Sequence, residues 1–441
     1  MKVIHVLNSY LPQHIAGTEV YVSALVRELK LQNVTSKIVI PNYGKTHNET
    51  YFFEGTEVIK YAEPSTVERA IIMGIKAPKG VIDFTKVLLS EKPDIVHFHE
   101  LAGSIGIGLF HVEAAKAMGF KLIMTFHLAK YTCKTGTLMY MNQTKCDGII
   151  SKIRCSDCWL NETGVNKTSF NVIKAGYTLM HYLHLDTRVL KNSLGTALAL
   201  PNIILDIRKN MLKLEKLTDG FIVLTEWYKN ILFKNGVKQS HLSIINQGLP
   251  NSNNEKIKKL KSNNKLSLVF VGRISHFKGV DILLSALKNI DQEKVELTIY
   301  GTATEDDYME KCLLLSLNMK NIFWKGSIEP SKVIDTISLY DVLCIPSAVS
   351  EMGPFVLKEA FAASVPVLAS NVYGNTEQII DGVNGWLFKF KNVDDLKNII
   401  DNLINNPSQI LFASGNIVKP HNFGVVATEH IKVYDKVLLK R

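Results

Sequence analysis

Two basic side chains flank a short segment bounded by glycines in the second half of the chain. The apolar run Leu268–Val271 is followed by Gly272-Arg273 and then by Lys278-Gly279, after which a helical pattern begins. A guanidinium offers a planar fork of donors and an ammonium offers a point charge, so the pair suits the oxygens of a diphosphate. The alternative is two solvated side chains of an ordinary loop.

Two carboxylates lie eight positions apart farther along the chain. Glu351 follows a predicted strand and loop, Gly353-Pro354 marks a turn, and Glu359 falls two turns into a predicted helix. Glu351 would meet a ligand near the start of that helix, where backbone amides are unpaired. Glu359 could accept hydrogen bonds from a ribose diol.

Histidines end two consecutive predicted strands of the first half, at His99 and His127. Because the carboxyl ends of parallel strands meet at one edge of a sheet, both imidazoles would share a rim and could donate to a phosphate or a sugar hydroxyl. Gly17 and Thr18, at the start of the first predicted helix, could meet an anion through free amides. Satisfied structural histidines and an ordinary helix cap are the alternatives.

The elements that must position these residues follow from the hydrophobic pattern. Short β-branched runs alternate with amphipathic stretches throughout, which predicts an α/β fold with two Rossmann-like, doubly wound parallel-sheet domains. The predicted strands are Val3–Leu7, Lys37–Ile40, Val58–Tyr61, Ile95–Phe98, Leu122–Phe126, Phe221–Leu224, Leu268–Val271, Leu297–Tyr300, Ile322–Trp324, Val342–Ile345 and Val365–Ala369. The clearest predicted helices are Val20–Leu31, Val280–Leu287 and Val356–Ala363.

An Asn- and Lys-rich stretch at 251–264 has little to bury and predicts a linker between domains. It separates an N-terminal domain, 1–250, from a C-terminal domain, 265–415. The N-terminal domain carries a Cys-rich insertion at about 130–165. Residues 416–441 are predicted to form a C-terminal helix that packs back on the N-terminal domain.

The net charge of +10 is concentrated in one part of the chain. Residues 101–250 hold 18 Lys and Arg against 9 Asp and Glu, whereas 251–441 hold 22 against 21. A nucleic-acid partner is not expected, because dense basic runs with interleaved aromatic residues are missing. No signal peptide or apolar run long enough to span a membrane stands out, which indicates a cytoplasmic protein.

Four cysteines follow His127 with the spacing C-x12-C-x8-C-x2-C, at Cys133, Cys146, Cys155 and Cys158. Four thiols that end in a Cys-x2-Cys pair suit a tetrahedral structural zinc. Two disulfides, reduced thiols or an iron–sulfur cluster are the alternatives.

These motifs together resemble the retaining glycosyltransferases of family 4, which have the GT-B fold, in the branch with a Cys-rich insertion. The resemblance covers nearly the whole chain. It rests on Ala16-Gly17-Thr18-Glu19, His97-x-His99-Glu100, Thr125-Phe-His127, Gly272-Arg273 with Lys278-Gly279, Asp341 to Ser347, Glu351 to Glu359, and Gly385. Ala16 and Met352-Gly353-Pro354 depart from the usual pattern.

The resemblance implies two domains facing a cleft and a nucleotide diphosphosugar as donor, with no catalytic metal. Arg273 and Lys278 would bind the diphosphate beside Gly272, and Glu351 would bind sugar hydroxyls with the amides of Gly353 and Phe355. Glu359 would hold the ribose and Gly17-Thr18 the distal phosphate. His127 would lie near the anomeric carbon, so His127, Glu351, Arg273 and Lys278 are the expected catalytic residues, and His99 would line the acceptor side.

The expected reaction moves a hexose to a hydroxyl of a glycan or lipid-linked glycan in the synthesis of a surface polysaccharide. The basic residues of 101–250 would bring the protein to the inner face of the cytoplasmic membrane. Two other functions fit the pattern: a nucleotide-sugar epimerase of the same fold, and a non-enzymatic, metal-stabilised module that binds a glycan or a membrane.

Overall fold

The computed structural model describes residues 1–65, 68–72, 74–101, 106–190, 192–250 and 265–439. They form two compact units. The first unit comprises residues 1–136, 147–250 and 423–441, and the second comprises 137–146 and 251–422. The predicted linker, 251–264, lies outside the described residues.

In chain order the helices and strands are β1 (Lys2–Val6), α1 (Gly17–Leu31), β2 (Thr35–Tyr43), β3 (Glu49–Phe53), β4 (Thr56–Glu63), α2 (Arg69–Ile72), α3 (Val81–Glu91), β5 (Ile95–His99), α4 (Leu109–Ala117), β6 (Lys121–Phe126), β7 (Met139–Tyr140), β8 (Thr144–Lys145), α5 (Lys152–Glu162), α6 (Lys167–Tyr182), α7 (Ser193–Leu198), α8 (Leu200–Leu217), β9 (Gly220–Val223), α9 (Glu226–Lys234), β10 (Leu242–Ile244), β11 (Leu266–Val271), α10 (Val280–Leu287), β12 (Val295–Tyr300), α11 (Asp306–Ser316), β13 (Ile322–Trp324), α12 (Val333–Ile337), β14 (Val342–Ile345), α13 (Phe355–Ala362), β15 (Val367–Ser370), β16 (Gly385–Phe388), α14 (Val393–Asn405), α15 (Ser408–Gly415) and α16 (Phe423–Leu439).

The first unit is built on an eight-stranded sheet in the order β10-β9-β6-β5-β1-β2-β4-β3. Its central strands are almost wholly buried, as strands covered by helices on each side must be, and they include the buried polar residues His5, His97 and His99. All neighbouring pairs are parallel except β3–β4, which is antiparallel. The all-parallel expectation therefore does not hold at this edge, because the tight turn at Glu54-Gly55 reverses the chain and leaves no room for a crossover helix.

The second unit contains a six-stranded, wholly parallel sheet in the order β13-β12-β11-β14-β15-β16. Two hydrophobic clusters flank it: α10, α11 and α14 cover one and α12 and α13 the other. The sheet is thus an α/β layer with helices on both faces, and the order reverses at β11, where β12 lies on one side and β14 on the other. The two Rossmann-like units expected from the hydrophobic pattern are therefore present.

Two segments belong to a different unit from the residues that precede them in the sequence. Helix α16 belongs to the first unit and packs against α1. Residues 137–146, expected within the insertion of the N-terminal domain, belong instead to the second unit. They form a two-stranded antiparallel ribbon, β7–β8, referred to below as the 137–146 hairpin.

No helix among the described residues combines the length and the apolar character that crossing a lipid bilayer requires.

Candidate functional site

The chemistry-bearing residues of the second unit collect at the carboxyl ends of its parallel strands. Three loops leave the sheet there, 272–279 after β11, 346–354 after β14 and 371–377 after β15, and we call them the edge loops. Backbone bonds tie them together, from the Ala348 amide to the Phe277 carbonyl (2.8 Å) and from the Glu351 amide to the Tyr373 carbonyl (2.9 Å).

Glu351 accepts two hydrogen bonds at one carboxylate oxygen. The Lys278 ammonium donates to Oε1 at 2.7 Å, and the Ser347 hydroxyl donates to the same atom at 2.7 Å. Burial would raise the pKa of Glu351, but the charge of Lys278, these two bonds and the charge of Arg273 together lower the pKa below its usual value. Glu351 is therefore ionised near neutral pH and is held by a cation that a ligand could share.

Arg273 is exposed and close enough to influence the ionisation of Glu351. Among the described residues it has no ion-pair or hydrogen-bond partner. Together with Lys278, which has further N–H groups to offer after bonding Glu351, it gives the edge loops a positively charged surface. The predicted phosphate-binding pair is thus brought to one edge together with Glu351.

Glycines permit the edge loops to approach this closely. Gly279 precedes α10 with φ of +69°, and a Cβ there would lie 2.0 Å from the Pro346 carbonyl oxygen. Gly374 has φ of +86°, and a Cβ there would lie 1.9 Å from the carbonyl oxygen of Glu351. Both positions therefore require glycine for conformation and for space.

Glu359 and Lys358 lie on α13, and neither has a hydrogen-bond partner or ion-pair partner within the part of the chain that the structure describes. Burial raises the pKa of Glu359 to about 7. Burial lowers the pKa of Lys358 to about 8, although the charge of Glu377 opposes that shift. A hydroxyl-bearing ligand that donated to Glu359 would relieve its desolvation.

Backbone amides at the start of α13 face the same edge. Pro354 precedes the helix and cannot cap it with its side chain, so the first amides depend on other partners. Gly353, with φ of 112°, turns the chain into Phe355, the first helical residue. In the sequence, Gly353 and Phe355, whose amides are predicted to bind the donor, both lie between Glu351 and Glu359.

In the first unit, Gly17 and Thr18 open the 15-residue helix α1. No side chain caps this helix, and a Cβ on the exposed Gly17 would meet nothing within 4 Å. The next residue, Glu19, is buried and accepts a hydrogen bond from the Ser9 hydroxyl at 2.8 Å. The start of α1 is thus sterically open at Gly17, and anion binding by Gly17 and Thr18 stays a prediction.

His99 and His127 belong to a buried row of three imidazoles. Nδ1 of His99 lies 3.2 Å from Nε2 of His127, and Nε2 of His99 lies 2.9 Å from Nδ1 of His5. Burial lowers the pKa of all three, that of His5 and His127 to about 3. His99 is 1% exposed, so within this unit it supports His127 rather than presenting a surface of its own.

Glu100 holds the backbone next to His127. Its Oε2 accepts from the amides of His127 (2.9 Å) and Leu128 (2.8 Å), and Glu100 itself has a left-handed φ of 67°. Burial raises the pKa of its carboxyl to about 8 despite these bonds. A strained residue with a buried acid beside His127 is typical of functional sites.

One group of described residues has the geometry of a possible metal site: His5, His97 and His99. Both ring nitrogens of His97 already have partners, the Thr125 hydroxyl at 2.7 Å and the Tyr434 hydroxyl at 2.8 Å. Since a metal would have to replace one of these bonds and the His5–His99 bond, the group is better described as a hydrogen-bonded network.

The four predicted zinc ligands are divided between the units. Cys133, Cys155 and Cys158 belong to the first unit and Cys146 to the second. Zinc binding by these four cysteines therefore remains a prediction.

Several residues of the network in the first unit were not singled out from the sequence: His5, Tyr21, His430 and Tyr434. One signal was available for His5. It pairs in register with His97 across β1 and β5, and alternate residues of β5 share a face, so a histidine in the first strand could have been placed beside His97 and His99.

The comparisons with known proteins agree with this architecture. Residues 251–413 match the family described as glycosyl transferases group 1. An uncharacterised glycosyltransferase of Methanocaldococcus jannaschii is 27% identical over 235 residues, which are 51% of this chain and 60% of that protein. The lipopolysaccharide 1,2-N-acetylglucosaminetransferase of Salmonella typhimurium is 29% identical over 128 residues, 27% of this chain and 34% of that protein.

A crystal structure of HepE from Anabaena with UDP and glucose superposes with a TM-score of 0.63 at 13% identity, covering 99% of each chain. The sequence matches are shorter, since the chain spans about half the length of the first curated relatives it matches. The chain therefore has the fold of the GT-B glycosyltransferases, with two Rossmann-like domains, and its residues 251–413 match the glycosyl transferases of group 1.

Proposed function

We propose that the protein is a retaining glycosyltransferase that moves a hexose from a nucleotide diphosphosugar to a hydroxyl of a glycan or lipid-linked glycan. The observation that carries the proposal is the group of Arg273, Lys278 and Glu351 on the edge loops of a unit that matches the group 1 family. Two cations that can bind a diphosphate lie beside an ionised carboxylate that can accept hydrogen bonds from sugar hydroxyls. All three lie at the carboxyl ends of the parallel strands, where ligands bind in such sheets.

In this proposal the charges stabilise the leaving group. Lys278 keeps its bond to Glu351 and donates its other N–H groups to phosphate oxygens, while the exposed Arg273 binds the diphosphate in a forked manner. Negative charge that develops on the departing diphosphate is then met by cations already in place. Glu351 orients the sugar, Glu359 accepts from the ribose, and Gly17-Thr18 and His127 contribute from the first unit.

The retaining outcome and the absence of a catalytic metal rest on the resemblance to family 4. The polysaccharide acceptor is supported by relatives such as the Salmonella transferase, whose name specifies lipopolysaccharide. Analysis of the anomeric configuration of product and donor by NMR tests retention directly. Inversion would overturn that part of the proposal and leave the donor site intact.

Replacing Lys278 or Glu351 by alanine tests the donor site. We expect transfer to fall roughly 100- to 1,000-fold, the usual cost of removing a group that stabilises the transition state. Lys311→Ala is the matched control, because Lys311 forms an ion pair of similar length with Asp281 (2.6 Å) on helices of the same unit. Full turnover of either site variant, or release of an epimerised nucleotide sugar without an acceptor, would contradict the proposal.

We further propose that α6 brings the protein to an anionic membrane surface that holds the acceptor, at the inner face of the cytoplasmic membrane. Val172, Leu179 and Tyr182 are 67%, 52% and 82% exposed and repeat at intervals of seven and three residues, so they lie along one side of the helix. His181 on the same helix is close enough to Lys152 and His184 for their charges to lower its pKa, although burial is the larger cause. An apolar stripe with the charge of Lys152 nearby suits an anionic lipid surface.

Sedimentation with phosphatidylcholine vesicles, with and without phosphatidylglycerol, tests this contact. We expect binding that requires phosphatidylglycerol and is lost in a double variant, Leu179→Asp with Tyr182→Asp. Leu314→Asp is the control, since Leu314 is 65% exposed on α11 of the second unit. Equal sedimentation of the double variant and the wild type would contradict the membrane contact.

A further inference from the structure

The 137–146 hairpin packs against two of the three edge loops. It lies in the sequence between the first two cysteines of the insertion, yet it belongs to the second unit. Leu138 and Met139 are each 1% exposed, so the hairpin is anchored by buried apolar side chains and is not a free loop. Its strands close through the pairs Met139–Lys145 and Tyr140–Thr144.

The first loop that it contacts is the one that carries Glu351. The Ser350 amide donates to the Thr137 carbonyl at 3.0 Å, and the Ser350 hydroxyl lies 3.5 Å from the sulfur of Met139. Ser350 directly precedes Glu351. The hairpin therefore fixes the backbone one residue before the carboxylate that pairs with Lys278.

The second contact is with the loop after β15. Lys145 donates to the side-chain oxygen of Asn371, and its ammonium lies 5.5 Å from the centre of the Tyr373 ring. Tyr373 in turn accepts the amide hydrogen of Glu351 through its carbonyl. The hairpin thus contacts both the loop that carries Glu351 and the loop that binds the Glu351 amide. A further bond, from Lys391 to Asn142 (2.8 Å), holds the turn of the hairpin.

We propose that the 137–146 hairpin is a positioning element for Glu351 and thereby determines how tightly the sugar of the donor is held. This rests on the proposed function. The hairpin contacts the residue that precedes Glu351 and the loop whose Tyr373 carbonyl accepts the Glu351 amide hydrogen, whereas Arg273 and Lys278 lie on the loop after β11. Its loss should therefore weaken recognition of the sugar more than recognition of the nucleotide diphosphate.

Lys145→Met is the test variant, because Lys145 is exposed and its loss removes the contacts to Asn371 and Tyr373 without opening the core. Met139→Asp is the stronger variant, which should displace the hairpin. Lys320→Met is the matched control, an exposed lysine just before β13, at the opposite ends of the strands.

Hydrogen exchange of the intact protein is the first readout and needs no ligand. We expect faster exchange of the Ser350 and Glu351 amides in Met139→Asp, whereas the amides of β11 keep their protection. Calorimetry is the second readout, with UDP and GDP against UDP-glucose and GDP-mannose as probes. We expect the nucleotide sugar that binds the wild type to lose about tenfold in affinity in Lys145→Met, the range of one charge-assisted bond, while its free nucleotide changes much less.

The outcomes are separable. Unchanged exchange at Ser350 and Glu351 in Met139→Asp overturns the positioning role, as does an equal loss of affinity for nucleotide and nucleotide sugar. If none of the four probes binds the wild type, the proposed donor fails, and the exchange measurement still decides whether the hairpin positions Glu351.

Discussion

At the scale of single residues, the second unit holds a carboxyl group whose ionisation a ligand would change. Burial raises the pKa of Glu359 to about 7, so the group is about half protonated at neutral pH. A ribose hydroxyl donates to the ionised form, and this form becomes more abundant as the pH rises. Nucleotide binding and ionisation of Glu359 are therefore linked.

We expect the affinity for a free nucleotide to rise up to about tenfold between pH 6 and pH 8, because the ionised fraction of Glu359 grows over that range. Glu359→Gln should remove this dependence. Calorimetric titrations of both proteins at several pH values make the comparison, and the phosphate's own titration is common to both. Identical slopes in the two proteins would exclude Glu359 from the ribose contact.

The free energy of unfolding should change with pH in the opposite direction and fall as the pH rises. The pKa of Glu359 is higher in the folded chain than the ordinary value of 4.5, so the folded state binds the proton more tightly. Its contribution to stability is complete below about pH 4.5 and is lost as the pH rises through about 7. Glu100, with its pKa near 8, extends the same trend to higher pH.

Gly374 is the position where a single methyl group should affect the site most selectively. We expect Gly374→Ala to displace the Glu351 carbonyl and to reduce transfer by at least about tenfold, because a Cβ 1.9 Å from that oxygen forces the loop to move. Gly326→Ala is the matched control: its φ of +70° is as unusual, but a Cβ would meet nothing within 4 Å. Initial rates of transfer and thermal unfolding separate the two effects, and equal losses in both variants would argue against the close approach.

At the scale of helices and strands, local pattern predicted the elements that bury apolar residues on both faces. Val280–Leu287 and Val342–Ile345 agree residue for residue with α10 and β14. The strands that were missed, such as β3 and β16, are short edge strands with a weak or interrupted pattern. The sequence also predicted the edge residues, because parallel strands bring their ends together.

The hydrogen-bond partners of residues in either unit could not be predicted in the same way. The bond between Ser350 and Thr137 joins positions more than 200 residues apart, and the bond between Tyr434 and His97 joins positions 337 apart. Periodicity reports which face of an element is buried, not which other element covers it. Contacts of this kind depend on tertiary packing.

The cysteine segment allows a prediction at this scale. If Cys133, Cys146, Cys155 and Cys158 hold zinc, the purified protein should contain one zinc per chain, and Cys158→Ser should lower that content. Cys312→Ala is the control, because Cys312 is buried in α11 of the second unit. Elemental analysis and thiol titration decide the point. A zinc-free protein in which all four thiols react would refute the metal site.

At the scale of the whole molecule, helix α16 completes the first unit. It packs on α1, and Tyr434 bonds Nδ1 of His97 at 2.8 Å with both residues fully buried. We expect Tyr434→Phe to lower the free energy of unfolding of this unit by about 1–3 kcal/mol, because it leaves a buried ring nitrogen without its partner.

Urea unfolding of the intact chain measures this loss, with Lys432→Met as the control on an exposed position of the same helix. An unchanged unfolding curve for Tyr434→Phe would show that the hydroxyl contributes nothing to the network of His5, His97 and His99.

The division of the first unit among three chain segments has a consequence for synthesis. The surface of α1 and the network around His97 are completed only by residues 423–439, which are synthesised after the whole of the second unit. Until then the nascent first unit exposes an apolar face to other chains and to chaperones. The first unit therefore cannot finish folding until the second unit has been synthesised, and a chain whose translation stops before residue 423 would lack the helix that completes its first unit.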